Sequence, residues 1–313
     1  MIPTTNEVRI EIATTCNAEC VFCPHPTDEF TRTKRIMSFD DYKLYLDKVL
    51  DTMGDSITDI GFSGFGEIFT DKHILDKLRY ADTKGRNIHV LTNGSLLTED
   101  IMNEMFKLNI KDIRISIHTS NPEGYDNTMM FKNKKTNYST IKANIDYIID
   151  NKPDHMDLIL TAVIDDSILD DVEQLIVDYD DRCYLEIWKP HNWVYGKDYR
   201  NVDRVALKKT CGRPFNGPIE VLNNGDIIMC CFDFNANMVL GNLKEQSLEE
   251  IYSGELFKKL HTTHSDGTCA TSDLICNGCD QLHVDEDVII HNNRVKDKNI
   301  RLSKTSTNLN QII

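Results

Sequence analysis

Basic side chains are in short supply. Lys and Arg number 35 against 50 Asp and Glu, a formal net charge of −15. That balance disfavours nucleic acid and anionic membrane as main partners, because phosphate binding draws its energy from clustered Lys and Arg. Long apolar runs are also missing: no segment approaches the roughly 18 residues a membrane helix needs. The opening MIPTTNEVRIEIATTC lacks the basic stretch and apolar run of an export signal, so a cytoplasmic protein is expected. In that reducing compartment ten cysteines point to metal or redox roles rather than disulfides. The 313 residues, 40% of them hydrophobic, suffice for one large α/β domain with a smaller appendage.

From residue 8 to about 188, β-rich runs alternate with amphipathic stretches, as in a parallel sheet with crossover helices. Strands are expected at Val8–Ala13, Ile57–Ser63, Asn87–Thr92, Asp112–Ile117, Asp157–Val163 and Tyr184–Trp188. Helices are expected at about Phe39–Asp51, Lys72–Thr83, Thr98–Lys107, Tyr138–Asp150 and Leu169–Asp178, with Ser38 and Thr98 placed as N-caps. Six such units predict a partial (β/α)6 TIM-like barrel whose active site lies at the strand C-terminal ends. The periodicity breaks after Pro190, which sets the expected boundaries: barrel 1–195, cysteine-bearing appendage 196–281, and a polar C-terminal tail 282–313 that packs loosely or frays.

Directly after the first expected strand, TTCNAECVFCPHP presents Cys16-x3-Cys20-x2-Cys23 on one compact loop. Thiolates are the usual ligands of iron–sulfur clusters, and three ligands on a four-iron cubane leave one iron open to an external molecule. At the end of the second strand stands FSGFGEI. Its glycines, Gly64 and Gly66, allow close approach of the backbone to a ligand, and the Glu67 carboxylate can accept hydrogen bonds from an ammonium group. Taken alone, that fragment also reads as a plain strand-to-helix turn.

The cysteine triple resembles the signature of the radical S-adenosylmethionine (SAM) superfamily, with an aromatic, Phe22, before the last cysteine. FSGFGEI is similar to that family's Gly-Gly-Glu-Pro region in Gly66 and Glu67, and differs in having Ile68 in place of proline. The resemblance implies a 4Fe–4S cluster on Cys16, Cys20 and Cys23, with SAM on the open iron. It further implies that Asn93 and Ser116 approach the ribose or methionine carboxylate, and that Phe22 borders the adenine. Thr161 and Trp188 are candidates for the same pocket, although residues on an apolar strand more often owe their place to packing. His118 and Lys189, at strand ends, are candidate proton acceptors or structural residues.

The C-terminal third reads Cys211-Gly-Arg-Pro-Phe, Asn223-Asn-Gly-Asp-Ile-Ile-Met-Cys230-Cys231 and Cys276-Asn-Gly-Cys279, with Asn224-Gly225 as a hairpin turn. Residues 209–281 resemble the SPASM and twitch extensions of the same superfamily, in which a β-hairpin and helix carry auxiliary iron–sulfur ligands. Cys211, Cys230, Cys276 and Cys279 fit the single auxiliary cluster of the twitch form. Cys231 and Cys269 are possible substitutes, and a structural Zn(Cys)4 site is the alternative. Cys183 reads as a small buried apolar residue.

The twitch form resembles enzymes that oxidise an alcohol of an aminocyclitol, so oxidation of a small polar sugar-like substrate is the leading expectation. Modification of a peptide, as in maturase-type relatives, is the second. It is weakened by a first strand that begins by residue 8, which leaves no room for a leader-binding domain. A non-catalytic iron–sulfur or zinc protein is the third. The resemblance also implies an electron donor such as flavodoxin or ferredoxin.

Overall fold

The computed structural model describes residues 2–163, 169–194, 208–282 and 289–296. Six parallel strands form its centre: β1 (Glu7–Glu11), β2 (Asp59–Ser63), β3 (Asn87–Thr92), β4 (Ile110–Ser116), β5 (Asp157–Val163) and β6 (Tyr184–Trp188), paired in sequence order. The expected partial barrel is thus present.

The helices α1 (Phe39–Met53), α2 (Ile74–Asp82), α3 (Glu99–Met105), α4 (Pro122–Met129), α5 (Tyr138–Asn151) and α6 (Leu169–Tyr179) connect these strands. Both expected caps form: Ser38 Oγ accepts from the Asp41 amide at 3.0 Å and Thr98 Oγ1 from the Ile101 amide at 3.3 Å. Helix α4 was not expected. It is eight residues long, starts on an Asn121 cap with Pro122 in its first turn, and ends at Met130, whose φ of 48° is left-handed. Its local signals are caps rather than a long apolar stripe.

The appendage is less separate than its sequence suggests. Strands β7 (Ile219–Val221), β8 (Asp226–Ile228) and β9 (Val239–Asn242) extend the central sheet, with β7 pairing in parallel to β1. At the far edge β10 (Ile289–Asn292) pairs antiparallel to β6. An open barrel leaves both edge strands with unpaired backbone groups, and these additions satisfy them. The expectation of a loosely packed tail is therefore corrected for residues 289–294. Asn293 and Arg294 are buried, and Arg294 reaches Glu186 at 3.5 Å. The boundary expected at 195 and the final SKTSTNLNQII lie outside the described residues.

Apolar side chains between sheet and helices, including Val8, Ile10, Tyr42, Leu46, Ile60, Phe62, Ile113 and Ile145, are fully buried. The opposite face of the sheet is charged. There His89 lies between Asp112, 2.7 Å from its Nδ1, and Asp59, 2.9 Å from its Nε2, while Arg114 joins Asp112 at 3.2 Å to Glu186 at 2.8 Å. Burial alone would lower the His89 pKa, but the two carboxylates overcome it and raise it to about 9. With the folded value above the unfolded one, this imidazolium stabilises the fold fully below about pH 6.5 and loses that contribution as pH rises through about 9. The loss is on the order of 3 kcal/mol. We expect the thermal midpoint of the anaerobic protein to fall between pH 7 and pH 9.5, and His89→Gln to flatten that dependence while lowering the pH 7 value.

Candidate active site and auxiliary thiol site

The loop that follows β1 is held on two sides. Inward, Thr14 N donates to Arg35 O at 2.8 Å and a His25 ring nitrogen contacts Thr14 O at 2.6 Å. Outward, Glu19 N donates to Met129 O, Val21 N to Thr128 O and Lys132 N to Asn17 O, at 3.0 to 3.1 Å. Cys16, Cys20 and Cys23 are all free thiols, none fully exposed. Burial pushes the Cys23 thiol up to about 12 and raises those of Cys16 and Cys20, while Cys20 feels both Cys23 and Cys16, and Cys23 feels Cys16. A buried group of thiols that disfavours bare thiolates suits a cationic metal centre, which supplies the missing counter-charge on binding.

Beside this loop the end of β2 fits closely. A Cβ on Gly66 would lie 2.5 Å from both Ala13 O and Thr15 O, so only glycine fits there, and Glu67 N donates to Thr15 O at 2.9 Å. The buried Glu67 carboxylate accepts from Phe69 N at 3.1 Å, Thr92 Oγ1 at 2.7 Å and Asn93 N at 2.7 Å. Those donors use three of its roughly four acceptor positions. Its main work is to join the ends of β2 and β3, with one position left for an external ammonium. Asn93 is also engaged: its amide donates to Asn17 Oδ1 at 2.9 Å and its Oδ1 accepts from Ser95 N at 2.9 Å.

Ser116 and Thr161 stand opposite each other at the C-terminal ends of β4 and β5, both half-buried. Phe22 lies 5.9 Å from the His118 ring. His118 has a left-handed φ of 58°, and its Nδ1 accepts from Val163 N at 3.0 Å. Burial pushes its pKa down to about 4 against that hydrogen bond. The ring is therefore neutral and carries its proton on Nε2. Of the two expectations for His118, this geometry favours the structural one, because the Nδ1 lone pair is engaged by Val163 N. Lys189 follows β6 directly and is half-buried.

In the C-terminal region the hairpin turn is present, with Gly225 at φ 91°. Six thiols here feel one another: Cys279 feels Cys211 and Cys276, Cys276 feels Cys211 and Cys269, and Cys230 feels Cys231 and then Cys279. Phe232 N donates to Cys230 Sγ at 3.4 Å, and His264 Nε2 is 3.4 Å from Cys276 Sγ. Cys231, like Cys230, lies beyond the C-terminal end of β8 rather than on the strand. It accepts from Arg213 Nη2 at 3.0 Å, and Arg213 also holds Glu220 at 3.3 Å. Cys269 is buried beside Cys279, with its sulfur 3.6 Å from Lys209 O. Among the described residues no three His, Cys, Asp or Glu side chains converge on a single-ion position. A cubane distributes its thiolates over different irons, so its ligands need not converge in that way.

Aromatic rings link the two thiol groups. Phe65, between Gly64 and Gly66, lies 5.5 Å from Trp193 and 6.1 Å from Phe234, and Trp193 lies 5.9 Å from Phe232. The sequence reading missed this bridge, as it missed Asn17 and Arg213. Phe232 and Phe234 follow the Cys230-Cys231 pair at alternate positions, which is the signal that could have found them.

The chain belongs to the radical SAM superfamily, whose sequence model matches residues 10–176, and an iron–sulfur cluster-binding domain model, SPASM, matches residues 211–280. It is an enzyme of that superfamily, with a 4Fe–4S cluster, SAM and an auxiliary iron–sulfur cluster as its cofactors. Among particular relatives, the S-adenosyl-L-methionine-dependent 2-deoxy-scyllo-inosamine dehydrogenase of Niallia circulans is 23% identical over 291 residues, 88% of this chain and 93% of that enzyme. The AdoMet-dependent heme synthase of Methanosarcina barkeri is 29% identical over 130 residues, which span 41% of this chain and only 36% of that enzyme. In fold, the chain is similar to BtrN in complex with AdoMet and 2-DOIA, with a TM-score of 0.60, 18% identity, and coverage of 89% of this chain and 94% of that one. It is also similar to Streptococcus suis SuiB bound to precursor peptide SuiA, with a TM-score of 0.65, 14% identity, and coverage of 83% and 67%. No helix among the described residues is long and apolar enough to cross a membrane.

Proposed function

We propose that the enzyme dehydrogenates a secondary alcohol on a small polar ring, of the sugar or aminocyclitol class. The observation that carries this reading is the end-to-end correspondence with the inosamine dehydrogenase, over 88% of this chain and 93% of that enzyme. When bound, the cofactors would supply a hydrogen-atom acceptor and an electron acceptor, which with one released proton account for the two electrons and two protons an alcohol loses on becoming a ketone.

The protein's own contribution is placement. Cys16, Cys20 and Cys23 are assigned to the SAM-associated cluster, and Cys211, Cys230, Cys276 and Cys279 to the auxiliary one. Gly66 brings the end of β2 against the cysteine loop, where Glu67 offers its remaining acceptor position to the methionine ammonium. Ser116 and Thr161 are assigned to the ribose side, Phe22 to the adenine, and Gly64 to a close approach of backbone. Asn93 acts by fixing Asn17, next to Cys16, rather than by a free amide. Neutral His118 would donate from Nε2, which leaves Lys189 as the candidate to take up the proton.

The likeness to SuiB with its precursor peptide supports a second reading, peptide modification. Anaerobic turnover with SAM and a panel of aminocyclitols and amino sugars, read by mass spectrometry, separates the two. A product two mass units lighter, formed with 5′-deoxyadenosine, is the expected result. SAM cleavage with no loss of hydrogen from any ring substrate would overturn the proposal.

A further inference from the structure

The cysteine loop lies at the surface, and the segment against its outer side is unlike the rest of the chain. Residues 128–132 run along residues 17–21 through the three backbone hydrogen bonds described above, and Met129 Sδ lies 3.7 Å from Cys20 Sγ. The next residue, Met130, is 43% exposed and holds a left-handed backbone, which a non-glycine residue adopts at a cost of about 1 kcal/mol. Val21 beside it is 45% exposed. Immediately beyond, Lys132, Lys134 and Lys135 are exposed, and Lys132 Nζ holds Cys16 O at 2.9 Å. On the other flank the field of Lys34 reaches Cys23. Glu19 and Asp126, whose backbone O accepts from Met130 N, are exposed acidic side chains by the same strip, so its positive sign rests on the three lysines outnumbering them. An apolar centre with a lysine rim, in a chain of net charge −15, is a local reversal of sign.

We propose that this strip, centred on Val21 and Met130 and rimmed by Lys132, Lys134 and Lys135, is the docking surface for a small acidic one-electron carrier protein. The inference rests on the assignment of Cys16, Cys20 and Cys23 given above. One electron passes from the reduced carrier to the cluster, and the carrier leaves oxidised by one electron. The Met130–Met129 step sets the carrier's contact surface one residue from a sulfur that touches a ligand thiol. Opposite charge speeds such encounters by roughly 10- to 1000-fold at low salt and loses that advantage as ions screen it.

The probe is photoreduced flavodoxin, with dithionite as a small reductant that needs no docking. Stopped-flow bleaching of the cluster reads the reduction rate directly. The variants are the double charge reversal Lys134→Glu with Lys135→Glu, and Met130→Asn, which removes the apolar contact but tolerates the left-handed backbone. The double variant is expected to slow reduction by flavodoxin about tenfold at low ionic strength. That difference closes at high ionic strength, and dithionite rates stay unchanged. Met130→Asn is expected to slow flavodoxin at every salt concentration. Unchanged flavodoxin rates in both variants, or equal slowing with both reductants, would overturn the docking surface. Failure of dithionite to drive SAM cleavage in the unsubstituted enzyme would sink the cluster assignment with it.

Discussion

Replacing Cys20 with alanine is expected to remove about four of the roughly eight irons in the reconstituted protein and to reduce 5′-deoxyadenosine formation to background. Cys20 Sγ lies 3.7 Å from Met129 Sδ, and its thiolate is disfavoured by burial and by both other cysteines. Two remaining thiols would leave two irons of a cubane without protein ligands, so partial occupancy is not the expected outcome. Alanine removes a half-buried side chain in a loop tied by backbone hydrogen bonds, so the fold should persist. Circular dichroism on the variant separates loss of cluster from loss of structure. Iron analysis and chromatography of the nucleoside provide the measurement, and a folded variant that still cleaves SAM would sink the assignment.

The second large effect contrasts two cysteines of the auxiliary region. Cys279→Ala is expected to lose about four irons while SAM cleavage continues without oxidation of substrate. Cys231→Ser is expected to keep the full iron count, because its sulfur is committed to Arg213 at 3.0 Å. Serine preserves an acceptor for the half-buried Arg213 guanidinium, which would otherwise lose a partner at a cost of about 1 kcal/mol. Metal analysis with electron paramagnetic resonance on both variants decides the matter. Equal iron loss in the two would return Cys231 to the ligand set, and zinc in place of iron would remove the auxiliary cluster from the mechanism.

Much of this was legible in the sequence because strands and metal motifs are local signals. Strands β3, β5 and β6 begin and end at the expected residues, since runs of Ile, Val and Leu bounded by polar turns mark a buried parallel strand. The cysteine spacings were legible for the same reason. What stayed hidden was long-range. The sequence of Ile219–Val221 does not reveal that it pairs with β1, some two hundred residues earlier. The pair Cys230 and Cys231 reads the same along the chain, and only the approach of Arg213 separates them. Glu67 looks like a free carboxylate until Thr92 and Asn93 arrive from another strand. His118 looks like a base until Val163 N caps it.

The seam between β1 and β7 bears on how the enzyme can be dissected. β1 carries the cysteine loop at its end and gives its outer edge to the hairpin that leads to Cys230. Asn223 at the hairpin turn also donates to Thr14 Oγ1 at 3.1 Å, just ahead of that loop. Removing the auxiliary region would therefore lay bare the edge of the strand that carries the catalytic loop, an invitation to pair with other chains. The two iron sites share one cooperative unit, and a truncated barrel is a poor stand-in for the whole enzyme.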